Sequence, residues 1–118
     1  MAGDADVVVR DLAGTMVLEL HGVVDRGVAD QLTKAYEQGR ADAPARVVLD
    51  FSDTEYINSS GIALIVSILG RARSEGLNVA AFGLSDHYRH IFDITRLSDF
   101  IDVCPDLDTA LMAPGQRR

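Results

Sequence analysis

Short apolar runs of strand type alternate along this chain with segments whose apolar residues recur at helical spacing. That alternation limits the fold more than any other feature. Arg46-Val47-Val48-Leu49-Asp50-Phe51 is nearly continuous apolar, as expected of a strand covered on both faces. Asn78-Val79-Ala80-Ala81-Phe82-Gly83 is a second such run. Between them Ile62, Ile65, Val66 and Leu69 fall at i, i+3, i+4 and i+7, which predicts one buried face of a helix. Gly76 supplies its stop. Ser52 to Asn58 is the expected loop that joins strand to helix.

The flanking regions extend the pattern. Val7-Val8-Val9-Arg10 and Thr15 to Leu20 are β-rich runs around a hairpin turn at Asp11-Leu12-Ala13-Gly14. Thr15, Val17, Glu19 and His21 alternate with Met16, Leu18 and Leu20, which predicts one buried face. Asp25 stands where an N-cap belongs, and Val28, Leu32, Ala35 and Tyr36 follow at helical spacing. That helix is expected to end between Gly39 and Pro44. Ser85 is the expected cap of a third helix carrying Tyr88, Ile91 and Phe92. Phe100 to Val103 reads as a short edge strand, and Asp106 to Met112 as a last helix with Leu107, Ala110 and Leu111 inward. The order β-β-α-β-α-β-α-β-α predicts an α/β domain with a mixed sheet of about five strands and about four α-helices. The crossovers are expected to be right-handed with parallel central pairs, and the first hairpin adds an antiparallel edge. Residues 7–112 form the expected domain, with tails at 1–6 and 113–118.

Composition sets further bounds. A chain of 118 residues has the length of one domain. Its 47% hydrophobic and 25% charged residues fit a globular protein and argue against disorder. Eleven Lys and Arg against eighteen Asp and Glu leave a net charge of −7. Without a basic cluster, nucleic acid and anionic membrane are poor partners. The longest apolar run, Ile62 to Val66, is cut by Ser67, far short of a membrane span. The acidic start has no signal pattern, so the chain reads as cytosolic. Cys104 is the one cysteine, which excludes an internal disulfide; it reads as a small buried residue. His21, His87 and His90 are too scattered for a metal set, and no metal or cofactor is expected.

Asn58-Ser59-Ser60-Gly61 is the stretch where chemistry can sit. It opens the amphipathic helix, whose first turn carries unpaired N–H groups and a partial positive charge. Read from the residues alone, Asn58 or Ser59 caps that helix, and the position tolerates an added phosphate. A hydrolase nucleophile would need a G-x-S-x-G elbow, whereas the chain reads Ile57-Asn58-Ser59-Ser60-Gly61.

The stretch Asp50-Phe51-Ser52-Asp53-Thr54-Glu55-Tyr56-Ile57-Asn58-Ser59-Ser60-Gly61-Ile62 resembles the signature of the STAS domain family, specifically the bacterial anti-sigma factor antagonists. Leu18 to Asp25, His90 to Leu97 and Pro105 to Leu111 resemble three further blocks of that family in the same order. The resemblance implies a STAS-type mixed sheet and a binding protein that is not itself an enzyme. It implies that Ser59, the first serine of the motif, is a phosphoacceptor. Asp25, Asn58, Ser60, Gly61 and Ile62 would then form the partner-binding face, with the third helix bordering it. The implied partner is an anti-sigma factor that is also a serine kinase, with a metal-dependent serine phosphatase restoring the unphosphorylated form. The resemblance leaves room for a weak homodimer.

Three residues depart from the family pattern. Asn58 stands where the antagonists usually have Asp, Val23 where many have Glu, and Arg96 where Gly is usual. Asn58 keeps a cap and removes a charge beside Ser59. Arg96 falls near a helix end, where a cation is favoured. The alternative reading is a STAS scaffold or sensor subunit of a stressosome-type or transport-associated assembly. A nucleotide-binding module is a third class, for which no phosphate loop is evident.

Overall fold

The computed structural model describes residues 6–113 of the chain. β1 (Asp6–Leu12) and β2 (Thr15–Val24) form the expected antiparallel hairpin. Its turn is tighter than the sequence suggests, because only Ala13 and Gly14 lie outside the ladder. Both have positive φ, 53° and 83°, the two-residue turn whose twist matches paired strands. Asp6 already pairs with His21, and Ala113 is buried. The rest of the expected tails lies outside the described residues.

β3 (Arg46–Asp50), β5 (Asn78–Phe82) and β6 (Asp102–Cys104) complete the order β1-β2-β3-β5-β6, parallel from β2 onward. The expected edge strand is displaced: Ile101 is buried ahead of β6, and Phe100 is exposed outside it. β4 (Thr54–Ile57) is a correction, because it lies inside the stretch expected to be loop. It pairs in parallel with the end of β2, setting Val24 opposite Ile57 after a register shift between Gly22 and Val23. Four residues with Glu55 and Tyr56 exposed offer neither an apolar run nor a clean alternation to read. The sheet therefore has six strands where the sequence suggests about five.

The helices are α1 (Ala29–Arg40), α2 (Ser59–Ser74), α3 (Asp86–Ile94) and α4 (Leu107–Leu111). Single 3₁₀ turns occupy Arg26–Val28 and Leu97–Asp99. The main core lies on one face of the sheet. Met16, Leu18 and Leu20 of β2 meet Leu32 and Tyr36 of α1, Ile65 and Leu69 of α2, and Phe92 of α3 there. Val17, Val48 and Ala80 point the other way and pack under Ala110 of α4. From Thr15 to Leu18, β2 is therefore buried on both faces, not on one as its alternation suggests. No helix among the described residues is long and apolar enough to cross a membrane.

The buried stripe of α2 is Gly61, Ile65, Ile68, Leu69 and Ala72, and Val66 is exposed. This corrects the expected stripe at Val66, whereas Ile62, half-buried, still packs against the core as expected. The cause is backbone approach. A Cβ at position 61 would overlap the carbonyl oxygen of Val24, so only glycine lets the first turn of α2 rest on the end of β2. That contact turns the 61-65-68-72 side inward. At the other end, Glu75 ties α2 to α1. Its carboxylate accepts from the Tyr36 hydroxyl and the Arg40 Nε, both at 2.7 Å. Burial first, then this bond, raises the Tyr36 phenol to about 12.

Two glycines of one helix should respond oppositely to alanine. Gly70 is exposed with open space around its Cβ position, so Gly70→Ala should stabilise the fold by about 0.5–1 kcal/mol. Gly61→Ala should destabilise it by about 1–3 kcal/mol or more, because Val24 must move. Urea denaturation of both variants checks this, and equal effects would show that the Gly61 contact does not set the helix.

Candidate functional site

The site is built where β2 and β4 end side by side. Because Val24 lies opposite Ile57, the residues that follow, Asp25 and Asn58, leave neighbouring strand ends. Each then caps the helical turn after it. The Asn58 side-chain oxygen accepts the Gly61 N–H at 2.9 Å. Its backbone N–H donates to the Val24 carbonyl at 3.2 Å, and its carbonyl accepts the Ile62 N–H at 2.9 Å. Asn58 is thus held at three atoms. The Asp25 carboxylate accepts the Gly27 N–H at 2.8 Å, and its carbonyl accepts the Val28 N–H at 3.1 Å. Asp25 caps the 3₁₀ turn Arg26–Val28 rather than α1 itself, whose first residue is Ala29. This corrects the expected direct cap.

Ser59 is the first residue of α2 and is exposed. Among the described residues its hydroxyl has no hydrogen-bond partner. The cap is therefore Asn58, and Ser59 stands free beside it. Ser60 and Ile62 are half-buried, and Gly61 is buried against Val24. The structure brings Asp25, Asn58, Ser59, Ser60, Gly61 and Ile62 to one corner of the domain, at the carboxyl ends of two parallel strands. Ligands of open α/β sheets gather at such ends.

The third helix borders this corner through Tyr88. Its hydroxyl accepts the Ile57 N–H at 2.9 Å and donates to the Ile57 carbonyl at 3.3 Å. Ser85 caps α3 as expected, its hydroxyl accepting the Tyr88 N–H at 3.3 Å. Phe92 is fully buried, edge-on to Phe51. His87 and His90 are exposed on the same helix. Among the described residues no three His, Cys, Asp or Glu side chains are placed to hold a metal ion. Cys104 is half-buried, and burial raises its thiol pKa, which disfavours the nucleophilic thiolate. Arg96 has φ of 68°. Its backbone takes the left-handed conformation that suits the usual glycine, and its guanidinium reaches Asp99 at 2.6 Å.

One arrangement escaped the sequence. His21 lies between two carboxylates, Nδ1 at 2.6 Å from Asp53 and Nε2 at 3.0 Å from Glu19. Glu19 also holds Arg10 at 2.6 Å. The Asp53 carbonyl accepts the Gly22 N–H at 3.0 Å, so the turn leading into β4 is fastened to β2 twice. The two-residue spacing of Glu19 and His21 on one strand face was the available signal; Asp53 is joined only by the fold. Both ring nitrogens face acceptors, and neutral imidazole has only one N–H to give. The bonds to Asp53 first, and to Glu19 second, raise the His21 pKa above 6.5.

A proton held more tightly in the folded than the unfolded state stabilises the fold at low pH. The His21 contribution is full below the ordinary value of 6.5 and is lost as pH rises through the raised value. Wild type should therefore exceed His21→Gln in stability most below about pH 6.5, and the gap should shrink as pH rises from there into the alkaline range. Denaturation of both proteins across that range checks this. A gap that widens with pH would contradict the doubly bonded cation.

Known proteins share this architecture. The family model described as Mlab, STAS domain, matches residues 7–105. The chain is 28% identical over 82 residues to the anti-sigma-B factor antagonist of Listeria monocytogenes, covering 70% of this chain and 72% of that protein. It superposes on the crystal structure of an anti-sigma factor antagonist from Mycobacterium paratuberculosis with a TM-score of 0.76 and 26% identity, over 96% of each chain. The Bacillus cell fate determinant SpoIIAA in its phosphorylated form shares the fold, with a TM-score of 0.65 at 17% identity over 90% of this chain and 96% of that one.

Proposed function

The chain belongs to the STAS domain family, and from that premise we propose that it is an anti-sigma factor antagonist switched by phosphorylation of Ser59. Unphosphorylated, it binds an anti-sigma factor that is also a serine kinase, and the sigma factor is released. The kinase transfers a phosphoryl group to the Ser59 hydroxyl and loses its hold. A serine phosphatase restores the binding form. The protein itself supplies a surface and an acceptor and catalyses nothing.

The observation that carries this reading is the state of Ser59. Its hydroxyl is exposed and, among the described residues, unpartnered, while the backbone on either side is pinned through Asn58 and Gly61. A kinase needs an acceptor that is accessible and held in place. A capping serine would have its oxygen occupied, and here Asn58 takes that task.

The magnitudes favour a switch on binding rather than on folding. A phosphoserine carries about −1.5 to −2 charges. At the start of α2 it meets the helix dipole and gains ~0.3–1 kcal/mol. Ser59 is exposed, so nothing in the core is displaced. In an interface fitted to a neutral hydroxyl, an unpaired dianion costs several kcal/mol. Asp25, one strand end away, adds like charge to that face.

The second reading, a STAS scaffold or sensor subunit, is favoured by Asn58 itself. A neutral side chain stands where the antagonists usually have a carboxylate, and its hydrogen bonds are roughly half as strong as charge-assisted ones.

Incubation with co-encoded anti-sigma kinases and ATP, followed by mass spectrometry, separates the two. Phosphate is expected on Ser59. Phosphate on Ser60 alone would overturn the assignment of the acceptor. No phosphate from any co-encoded kinase would favour the scaffold.

A further inference from the structure

Among the described residues, β4 has a strand on one side only. β2 pairs with it along Gly22–Val24. On the other side β3 has ended at Asp50, and the chain at Phe51 turns its N–H to the Phe82 carbonyl of β5, at 2.9 Å. A cleft of about 240 Å³ opens there, with Phe51, Thr54, Ile57, Leu84, Ser85 and Tyr88 among its walls. Backbone groups along a strand point to opposite sides in turn. The Asn58 N–H points to Val24, so the N–H and carbonyl of Ile57 point away from β2, toward the cleft. Unpaired edge groups of this kind need partners.

Tyr88 provides both. A phenol is donor and acceptor at once. Its oxygen takes the Ile57 N–H at 2.9 Å, and its hydrogen goes to the Ile57 carbonyl at 3.3 Å. One side chain thus stands in for the missing strand. It is carried on a helix fixed in the core by Phe92 and capped by Ser85. Ile57 directly precedes the cap Asn58 and the acceptor Ser59. The acceptor turn is therefore bracketed, by Val24 on one side and by Tyr88 on the other.

We propose that Tyr88 is a positioning residue for Ser59: its hydroxyl holds the edge of β4 so that the acceptor turn presents the serine in one place, and it couples α3 to that turn. The consequence for phosphoryl transfer rests on the phosphoacceptor reading; the clamp on Ile57 does not.

The test uses the full chain and the variants Tyr88→Phe and His87→Ala. Tyr88→Phe keeps the ring and loses the hydroxyl. His87 meets the Tyr88 ring edge-on, with centroids 4.9 Å apart, and takes no part in the two bonds to Ile57. In Tyr88→Phe the Ile57 amide should exchange about tenfold faster or more. The amide resonances of Asn58 to Gly61 should shift, with the melting point within a few degrees of wild type. His87→Ala should leave those residues unmoved. With a kinase that phosphorylates wild-type Ser59, Tyr88→Phe should lower kcat about threefold or more at nearly unchanged KM. Unchanged exchange at Ile57 with unshifted resonances from Asn58 to Gly61 would overturn the proposal. So would an unchanged kcat. If wild type is not phosphorylated at all, the phosphoacceptor reading fails and the amide measurements alone decide on Tyr88.

Discussion

The carbonyl oxygen of Val24 is the point on which the site depends. It accepts the Asn58 N–H and occupies the space that any side chain at position 61 would need. α2 can therefore begin only against the last residue of β2. The rest follows from that contact. Gly61 turns Ile65, Ile68 and Ala72 into the core. Asn58 is free to cap Gly61. Ser59 is left outward with no partner among the described residues. An exposed hydroxyl usually samples many positions; this one is carried by backbone held from two sides.

Charge decides what the corner can do. The chain carries a net −7, and the Asp25 carboxylate is given to a helical turn. His21 and Arg10 are committed to Glu19 and Asp53. A phosphate on Ser59 would find backbone N–H groups and the α2 dipole, worth ~0.3–1 kcal/mol when exposed. That is too little to reorganise a fold whose core includes the fully buried Phe92 and Tyr36, each worth roughly 1.5–3 kcal/mol or more of burial. It is enough charge to spoil an interface.

Much of this architecture was legible because the period of the apolar residues changes cleanly along the chain. β3, β5, α1 and α3 fall close to where the runs place them, with Ser85 capping α3 as expected. β4 was not legible. Thr54-Glu55-Tyr56-Ile57 is a strand because β2 and Tyr88 satisfy its two edges, and neither partner leaves a local mark. The stripe on α2 was misread at Val66 because Ile65 and Leu69 belong to either rotation of the helix. The choice was made by a backbone contact at Gly61. The His21 clasp was hidden for the same reason, since Asp53 comes to it across thirty-two positions of sequence. The motif around Ser59 announced the corner; the residues that hold it in place were set by tertiary contacts.

The most direct test of the account compares one protein in two covalent states. Calorimetry would measure the affinity of the proposed anti-sigma partner for the unmodified chain and for the chain phosphorylated on Ser59, with melting curves of both. The account predicts a loss of about a thousandfold in affinity, ~4 kcal/mol, with melting points within a few degrees of each other. Equal affinities would contradict it, and would leave Ser59 as no more than the exposed first residue of a helix.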